Sequence, residues 1–446
     1  MKKDEWKDFT TGSIWKKLLH FMVPLMLASL IQQLYNMVDL MFAGHVLNNE
    51  ASAAIGSGSP MIFTVTAFFT GLSTGAGVVI AQAVGEGNER RVRELVHTTI
   101  GMGILMGIAV TVVGESMIPF YLRTMKLPER ILDDSLIYLR IYFISTCPMV
   151  LFNMAAAVIR ASGNSSAPMF IQTVGGITNV VLDWMFLRVF SGVGAIAAAS
   201  VISQLVPLLL SIRYLTQVDG AMKLVRSEIR VDPRLSKMIL RMGIPSGIQA
   251  TAMSFSNLVI QYFINSLGIN AIAAFAAYYK IELFVYYPLT AMGQAVTTFT
   301  GQNTGAGEKR RIRKGFLTGL ILGLLITIVS SSVILLITPA PYRLFNTDPD
   351  VVSMAGKIGM MVFPWYWIDV FFEIESDVIR GVGKAMTPML VVLLGLCLLR
   401  VLLLPVFRLF WEDYRGIAIL YPISWSVCAL YLGFYYFCSI RKRYLL

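Results

Sequence analysis

Acidic and amide side chains interrupt several stretches of this sequence that are otherwise apolar. Gln32, Asn36 and Asp39 follow one another at i, i+4 and i+7, on one face of a helix. Asn179 and Asp183 lie one helical turn apart in another apolar stretch. Carboxylate and amide oxygens suit a hard cation such as Na⁺, and a buried carboxylate can instead take up a proton. The pattern therefore indicates a site that binds and releases H⁺ or Na⁺.

A later apolar stretch carries a row of acids. Asp369, Glu373 and Asp377 occur at i, i+4 and i+8, and we call these three residues the acidic row. A charged residue at mid-membrane costs at least about 2.5–3.5 kcal/mol, a cost that helix packing alone does not explain. We expect Asp369 and Glu373 to line a cavity for cationic substrates. The structural alternative is pairing with Arg380, Lys357 or Lys280, which would neutralise Asp377 most easily because it is near the cytoplasmic end. Lys280 either faces the substrate or pairs with one of these acids.

Long apolar runs must position these residues. The chain has 446 residues, of which 56% are hydrophobic and 14% charged, with a mean hydropathy of +0.68. A soluble domain has about 25% charged residues, and about 20 apolar residues cross a bilayer as a helix. The sequence therefore predicts an all-α polytopic membrane protein with twelve spans, roughly 18–44, 53–82, 95–120, 135–159, 168–190, 194–216, 238–265, 270–300, 315–338, 353–379, 387–410 and 416–438.

The net charge of +11 follows the predicted topology. With both termini in the cytoplasm, most of the Lys and Arg residues fall in or beside cytoplasmic segments, as the positive-inside rule requires. The basic charge therefore predicts a multi-pass protein of the inner membrane and no nucleic-acid partner. The cysteines lie scattered in apolar spans without a metal-ligand spacing, so we expect no bound cofactor or structural metal.

The two halves of the chain repeat one another. Pro24 precedes Pro245 by 221 residues, and at an offset of 220 the run AQAVGEGNERRVR (from Ala81) pairs with GQNTGAGEKRRIR (from Gly301). At the same offset RASGNSSAP (from Arg160) pairs with RGVGKAMTP (from Arg380). A duplicated half is typical of transporters built from structural repeats. It predicts an N-lobe at 1–216, a linker at 217–237 and a C-lobe at 238–446. Pro24 and Pro245 are the predicted kinks of the first helix in each lobe.

These paired motifs, with N-x-x-D from Asn36 to Asp39, resemble the multidrug and toxic compound extrusion (MATE) family over about residues 10–440. The resemblance implies two six-helix lobes, related by a pseudo-twofold axis along the membrane normal. It also implies export of organic cations in exchange for H⁺ or Na⁺.

The resemblance implies a more complete ion site in the N-lobe than in the C-lobe. In the DNA-damage-inducible branch, matching positions for the coupling ion are Asp39, Asn179 and Asp183, with Ser200 where Thr is usual. A coupling Na⁺ would be held by those two acids and Asn179, with Asn36 nearby. In the norfloxacin-exporting branch, Asp369 matches a span-10 Asp, but Met253 replaces a span-7 Glu, so we place the coupling ion mainly in the N-lobe.

We therefore expect a monomeric secondary antiporter that exports amphipathic organic cations by alternating access of its two lobes. Gln32 and Asn257 are further candidates for the substrate cavity. The alternatives are a lipid-linked-saccharide flippase of the same broad superfamily and an ion channel or structural membrane protein. An enzyme is not expected, because none of the three His residues stands in a credible triad context.

Overall fold

The computed structural model of the protein is helical, with no strand among the residues it describes. Those residues are 8–42, 49–125, 127–189 and 192–445, and the side chains of 35–42, 49, 52, 408 and 441–445 lie outside the description.

The first half of the chain forms seven α-helices within the described ranges. They are α1 (Ile14–Phe42), α2 (Asn49–Gly85), α3 (Glu89–Thr124), α4 (Glu129–Ile144), α5 (Thr146–Ala161), α6 (Ser166–Val189) and α7 (Val193–Gln217). The linker that follows contains two single 3₁₀ turns, Gly220–Met222 and Arg226–Glu228.

The second half continues the series with ten more α-helices where it is described. They are α8 (Pro233–Asn265), α9 (Ile269–Gly305), α10 (Lys309–Ile337), α11 (Ala340–Arg343), α12 (Pro349–Val362), α13 (Tyr366–Gly381), α14 (Met386–Val391), α15 (Leu399–Phe410), α16 (Arg415–Ala418) and α17 (Leu420–Tyr435). A π-helical segment, Val392–Leu398, joins α14 to α15, and another, Tyr436–Leu445, extends α17.

Ten helical segments of the described chain are long and apolar enough to cross a membrane. Two more, α8 and α9, have 33 and 37 residues but carry more polar side chains. Joining α4 to α5 and α12 to α13 gives the twelve predicted spans, and the all-helical, multi-span architecture is confirmed. The helices extend past several predicted span ends, because residues beyond the apolar core still complete backbone hydrogen bonds.

The sequence repeat is also a repeat of backbone geometry. Gly87 and Gly307 both adopt a positive φ, 66° and 72°, in the tight turns that follow α2 and α9. That conformation favours glycine, which explains why both copies of the motif place it there. The fourth predicted span is broken at Ser145, and the tenth is broken at the 3₁₀ turn Phe363–Trp365.

The contacts divide the chain into two compact units. The C-unit contains the residues up to Met26 and Ile244–Leu446, and the N-unit contains Leu27–Gly243. These bounds differ from the predicted ones (1–216, 217–237 and 238–446). The residues before Leu27 pack in the C-unit, and the linker packs in the N-unit.

In the C-unit, the start of the chain docks on the repeated glycine motif. The Phe9 ring is fully buried and meets the Phe299 ring edge to face, with centroids 5.7 Å apart. The Phe9 N–H donates to Gln302 Oε1 at 3.0 Å. Arg311 donates to three backbone carbonyls of the segment, those of Phe9, Thr11 and Gly12, at 2.8–3.2 Å. This arginine therefore anchors residues 9–12.

In the N-unit, the linker docks on α3. The Val225 N–H lies 2.9 Å from His97 Nε2, and Glu228 accepts a hydrogen bond of 2.6 Å from Arg93 Nε. The hydrogen bond from Arg93 lowers the pKa of Glu228, and the positive charge of Arg93 adds to the effect. Leu224 is buried beside these contacts. The linker is therefore a docked segment of the N-unit.

Candidate functional site

Helix α6 brings two predicted ion-binding residues together in the N-unit. Asn179 and Asp183 are both buried, with 3% and 0% of their surfaces exposed. Their spacing of four residues places them one above the other on a single face of α6. Gly175 lies one further turn along the same face, where a Cβ would overlap the ring of Pro207 on α7. A polar pair is thus held inside the protein by a close contact between two helices.

The register between α6 and α7 puts Ser200 and Ser203 near that pair. Only three residues separate α6 from α7 in the chain, and the two helices pack together at Gly175 and Pro207, so we take them as antiparallel neighbours. Four residues on from Gly175 along α6 then match four residues back from Pro207 along α7. Ser203 therefore lies at the level of Asn179, and Ser200 lies close to the level of Asp183. The Ser200 hydroxyl donates to the Ile196 carbonyl at 3.1 Å, which leaves its oxygen able to accept or to coordinate.

Asn36 and Asp39 complete the predicted ion site only in part. Helix α1 extends to Phe42 and carries both residues, three positions apart on one face. Their side chains lie outside the described residues. In the described part of the chain, no group of three or more His, Cys, Asp and Glu side chains could hold a metal ion. The carboxylate of Asp183, the amide of Asn179 and the hydroxyl of Ser200 are donors of the type that Na⁺ accepts.

In the C-unit, the acidic row lies on α13, and its members differ in their partners. Asp377 forms an ion pair with Arg380 and accepts a hydrogen bond of 2.8 Å from Thr297 Oγ1. Of the possible partners Arg380, Lys357 and Lys280, Asp377 therefore pairs with Arg380. Asp369 is buried, and Glu373 is partly buried with its Cγ facing Gly293 of α9. Neither forms an ion pair among the described residues, so they are the members of the row left to attract a cation.

Glu282 of α9 belongs to a cluster of tyrosines that the sequence did not reveal. Its Oε1 accepts hydrogen bonds from Tyr278 at 3.1 Å and from Tyr366 at 3.0 Å. Both tyrosines are buried. Tyr366 is the first residue of α13, so the Glu282 carboxyl group ties α9 to the helix that carries the acidic row.

Arg400 is a second buried group that the sequence analysis missed. It is 6% exposed, its Nε donates to Ser424 Oγ at 2.8 Å, and its guanidinium lies 4.7 Å from the centre of the Tyr421 ring. The Tyr421 hydroxyl lies 2.9 Å from that of Tyr279. The available sequence signal was a basic residue near the middle of the predicted eleventh span, which an apolar environment tolerates only with partners.

Three other predicted residues, Lys280, Gln32 and Asn257, have exposed side chains. Lys280 is exposed, with its ammonium group 5.1 Å from the centre of the Phe345 ring, and it forms no ion pair among the described residues. Gln32 and Asn257 are both exposed in their units. Met253, which stands where the resemblance calls for Glu, packs against the apolar core of the C-unit.

The predicted kinks lie inside long helices. Pro24 is buried within α1, and Pro245 is buried within α8. Each removes one backbone hydrogen bond of its helix. The chain passes between the two units between Met26 and Leu27 and between Gly243 and Ile244, so each proline is within three residues of a crossing.

A protein-family model matches both copies of the repeat. The MatE family model matches residues 24–185 and matches again over residues 245–406, which together exceed half of the chain. The chain belongs to the MatE family. The two matched segments begin at Pro24 and Pro245, the residues from which the repeat was recognised.

Curated relatives cover nearly the whole of this MatE protein. The probable multidrug resistance protein YoeA of Bacillus subtilis is 28% identical over 441 residues, which are 97% of this chain and 95% of the relative. YpnP of the same organism, also named a probable multidrug resistance protein, is 28% identical over 438 residues, 96% of each chain. A protein of Shewanella oneidensis named FAD transporter is 22% identical over 430 residues, 93% of this chain and 92% of its own.

Solved structures have the same fold as this MatE chain. An outward-facing multidrug resistance MATE family transporter of the MOP superfamily has a TM-score of 0.91 at 20% identity, covering 99% of this chain and 98% of that one. A MATE structure in complex with MaL6 gives the same TM-score and covers 98% of this chain and 99% of its own. MatE proteins are transporters, which agrees with the prediction that the chain is not an enzyme.

Proposed function

We propose that this MatE protein is a secondary antiporter that exports amphipathic organic cations in exchange for H⁺, with Na⁺ as the alternative coupling ion. The observation that carries the proposal is the buried pair Asn179 and Asp183 in the N-unit. An ionised carboxylate at this depth costs at least about 2.5–3.5 kcal/mol, so the site favours protonation or a bound cation. Asp39, on α1, is the proposed second carboxylate.

The acidic row supports a cationic cargo. Asp369 and Glu373 face the interior of the C-unit without an ion pair, whereas Asp377 is neutralised by Arg380. At an effective dielectric constant near 20, a cation 4 Å from one carboxylate gains roughly 4 kcal/mol before desolvation. The names of the two Bacillus subtilis relatives are consistent with a drug-like cargo.

We infer that access alternates by bending of α1 and α8. These helices contain the two places where the chain passes between the compact units, and each has a proline within three residues of that place. A proline leaves one carbonyl of its helix without an intrahelical partner, which makes bending less costly there. Proton binding at Asp39, on the same helix as Pro24, would link the ion to the bend.

A flippase for lipid-linked saccharides is the second candidate, since a MatE relative is named an FAD transporter and its cargo contains a pyrophosphate. Such a cargo needs several cations free to bind phosphate. Two arginines of the C-unit are engaged, the partly buried Arg380 with Asp377 and the buried Arg400 with Ser424. Lys280 of α9 has no ion pair among the described residues, but a single cation is fewer than a pyrophosphate needs, so we favour the cationic cargo.

Transport in proteoliposomes tests this function. The purified full chain is reconstituted, and a fluorescent lipophilic cation is followed under a pH gradient without sodium, then under a Na⁺ gradient without a pH gradient. We expect the pH gradient to drive transport, and a proton-driven exchange that is electrogenic would also draw about 2.3 kcal/mol per charge from 100 mV of membrane potential. Transport only under the Na⁺ gradient would make Na⁺ the coupling ion. Equal, gradient-independent fluxes would indicate a channel.

A further inference from the structure

Glu375 is a buried acid of α13 that the proposed ion and substrate sites do not use. Its side chain is 5% exposed, and its Oε2 has no hydrogen-bond partner among the described residues. It follows Glu373 by two positions, so it points away from the acidic row, roughly 160° around the helix at 100° per residue. It is therefore a separate group.

The three faces of α13 meet different helices. Glu373 and Asp377 face Gly293 of α9, and Val370 and Ile374 face the glycines Gly319 and Gly323 of α10. Glu375 faces α17.

A glycine on α17 makes room for the Glu375 carboxyl group. A Cβ built on Gly433 would lie 3.0 Å from Oε1 and 3.6 Å from both Cδ and Oε2. The carboxyl group therefore lies against the glycine backbone, in the space that any other residue would fill.

Glu375 and Gly433 both lie well inside their spans. The span that contains Glu375 ends at Gly381, six residues away, and the one that contains Gly433 ends at Ile440, seven residues away. At 1.5 Å per residue, both lie roughly 10 Å inside the helix ends.

No described cation neutralises Glu375. Helix α17 carries no charged residue between Leu420 and Tyr435, and its titratable groups are tyrosines and Cys428. Helix α14 is also without charge, the basic residues of α10 are confined to its first turns, and α9 carries only Lys280 and Glu282. Arg380, on α13 itself, is paired with Asp377. The π-helical segment after α17 contains Arg441, Lys442 and Arg443, whose side chains lie outside the description.

We propose that Glu375 is a proton-binding site distinct from the Asn179–Asp183 pair and from the acidic row, and that its bound proton keeps α13 and α17 in contact. An ionised carboxylate here would have no counter-ion among the described residues, whereas the neutral acid fits the apolar surface of α17. A single carboxyl group does not supply the six or so oxygen ligands of a metal ion, so the ligand is a proton. On release, the O–H bond breaks, the proton passes to water, and the charge that remains separates the helices.

Infrared difference spectroscopy on the purified full chain in lipid nanodiscs tests the bound proton. A protonated carboxylic acid has a carbonyl stretching band that shifts in ²H₂O and that an ionised carboxylate lacks. We expect Glu375→Gln to remove one such band at neutral pH, and we expect the band of the wild type to disappear at alkaline pH. The control Asp377→Asn removes a carboxylate paired with Arg380, and no band should be lost. A wild type without the Glu375 band, or with one that persists at alkaline pH, overturns the proposal.

Hydrogen exchange tests the coupling to packing without requiring transport. At alkaline pH, the amides of residues 427–435 should exchange faster in the wild type than in Glu375→Gln, and the two should be alike at acidic pH. If Glu375→Gln does not fold, Gly433→Ala serves instead, because its Cβ displaces the carboxyl group and should shift the infrared band. Identical exchange at every pH overturns the coupling.

The role of the Glu375 proton in transport rests on the proposed antiport function, whereas the proton-binding site itself does not. Under a pH gradient, we expect the wild type to lose transport at alkaline pH and Glu375→Gln to keep it. If the infrared band titrates but the wild type and Glu375→Gln show the same dependence of transport on pH, that role is overturned. If the wild type does not transport, the antiport proposal is overturned. The infrared and hydrogen-exchange results would then still test proton binding at Glu375.

Discussion

Buried carboxyl groups of this protein differ in their partners, and the partner decides what each can do. Asp377 has an arginine and a threonine hydroxyl, and Glu282 has two tyrosine hydroxyls. Such groups are satisfied within the fold and hold helices together. Asp183 lies beside Asn179 on α6, and it is the group that we propose exchanges a small cation.

Asp183→Asn is expected to abolish proton-coupled export while the protein remains folded. Asparagine keeps the shape of aspartate but cannot bind and release a proton in the transport cycle. Asp39→Asn should have the same effect if the two acids share one site, because their titrations then belong to the pair. The measurement is dye efflux from proteoliposomes under a pH gradient.

The matched control for this site is Thr178→Ala, because the Thr178 hydroxyl donates only to the Val174 carbonyl of its own helix, at 2.8 Å. It should leave efflux unchanged. Full coupled export by both aspartate variants would assign Asp39 and Asp183 a structural role.

Asp369→Asn and Glu373→Gln should weaken the binding of cationic substrates more than that of neutral ones. Each removes a negative charge worth up to roughly 4 kcal/mol to a cation at 4 Å, before desolvation is subtracted. Affinities for a charged dye and an uncharged analogue, measured by fluorescence, give the comparison. Glu375→Gln changes a residue on the opposite face of α13 and should not alter this preference. Equal losses for both dyes would contradict a substrate role for the acidic row.

At the scale of elements, the segment that precedes each repeat is docked on one of the compact units. Residues 9–12, which precede α1, dock on the motif between α9 and α10 in the C-unit. The linker, which precedes α8, docks on α3 in the N-unit. The starts of α1 and α8 are therefore held before either helix reaches its proline.

Arg311→Ala is expected to release residues 9–12 while the helices remain folded. The guanidinium donates three hydrogen bonds to that segment, and a loss of at least about 2 kcal/mol is expected because one partner is charged. The amides of residues 9–12 should then exchange hydrogen roughly thirtyfold faster. The repeat-related Arg91→Ala is the control, since Arg91 pairs with Glu86 in the N-unit. Unchanged protection in Arg311→Ala would show that the buried Phe9 ring alone holds the segment.

Docking of the linker should weaken in acid. The pKa of Glu228 is lowered from its ordinary value by the hydrogen bond from Arg93, so the folded state favours the ionised form. Its contribution is fully present above the ordinary pKa of a glutamate and is lost as the pH falls through the lowered value. Hydrogen exchange at Leu224 and Val225 should therefore rise in acid.

Glu228→Gln should give the same faster exchange already at neutral pH. Asp219→Asn changes an exposed linker acid whose side chain does not cap the following turn, and it serves as the control. If acid leaves the protection of Leu224 unchanged, His97 and the apolar contacts hold the linker without Glu228.

At the scale of the whole molecule, topology follows from the distribution of charge. By the positive-inside rule, we expect both termini and the linker to lie in the cytoplasm. In a background without the native cysteines, Lys16→Cys and Asp232→Cys should resist an impermeant thiol reagent added to intact cells. Thr347→Cys, between α11 and α12, should react and is the positive control. Labelling of Lys16→Cys from outside would reverse the topology.

The apolar runs, the repeat offset of 220 and the spacing of polar residues on single helix faces could be predicted from the sequence, because each is a property of one helix or of the order of helices. The span count, the helical fold and the family follow from these alone. Partners on different helices could not be predicted. Glu282 and Tyr366 are 84 positions apart, Arg400 and Ser424 are 24 apart, and Phe9 and Gln302 are 293 apart.

Helical periodicity tells which residues share a face, but it does not tell which helix covers that face. The acidic row and Glu375 occupy one short helix, and their spacing alone does not say that the row faces α9 and Glu375 faces α17. The packing of small residues decides this: Gly293 admits the row on one side, and Gly433 admits Glu375 on the other. Only the tertiary structure distinguishes the side of α13 that meets α9 from the side that meets α17, because that distinction depends on the helix that packs against each side.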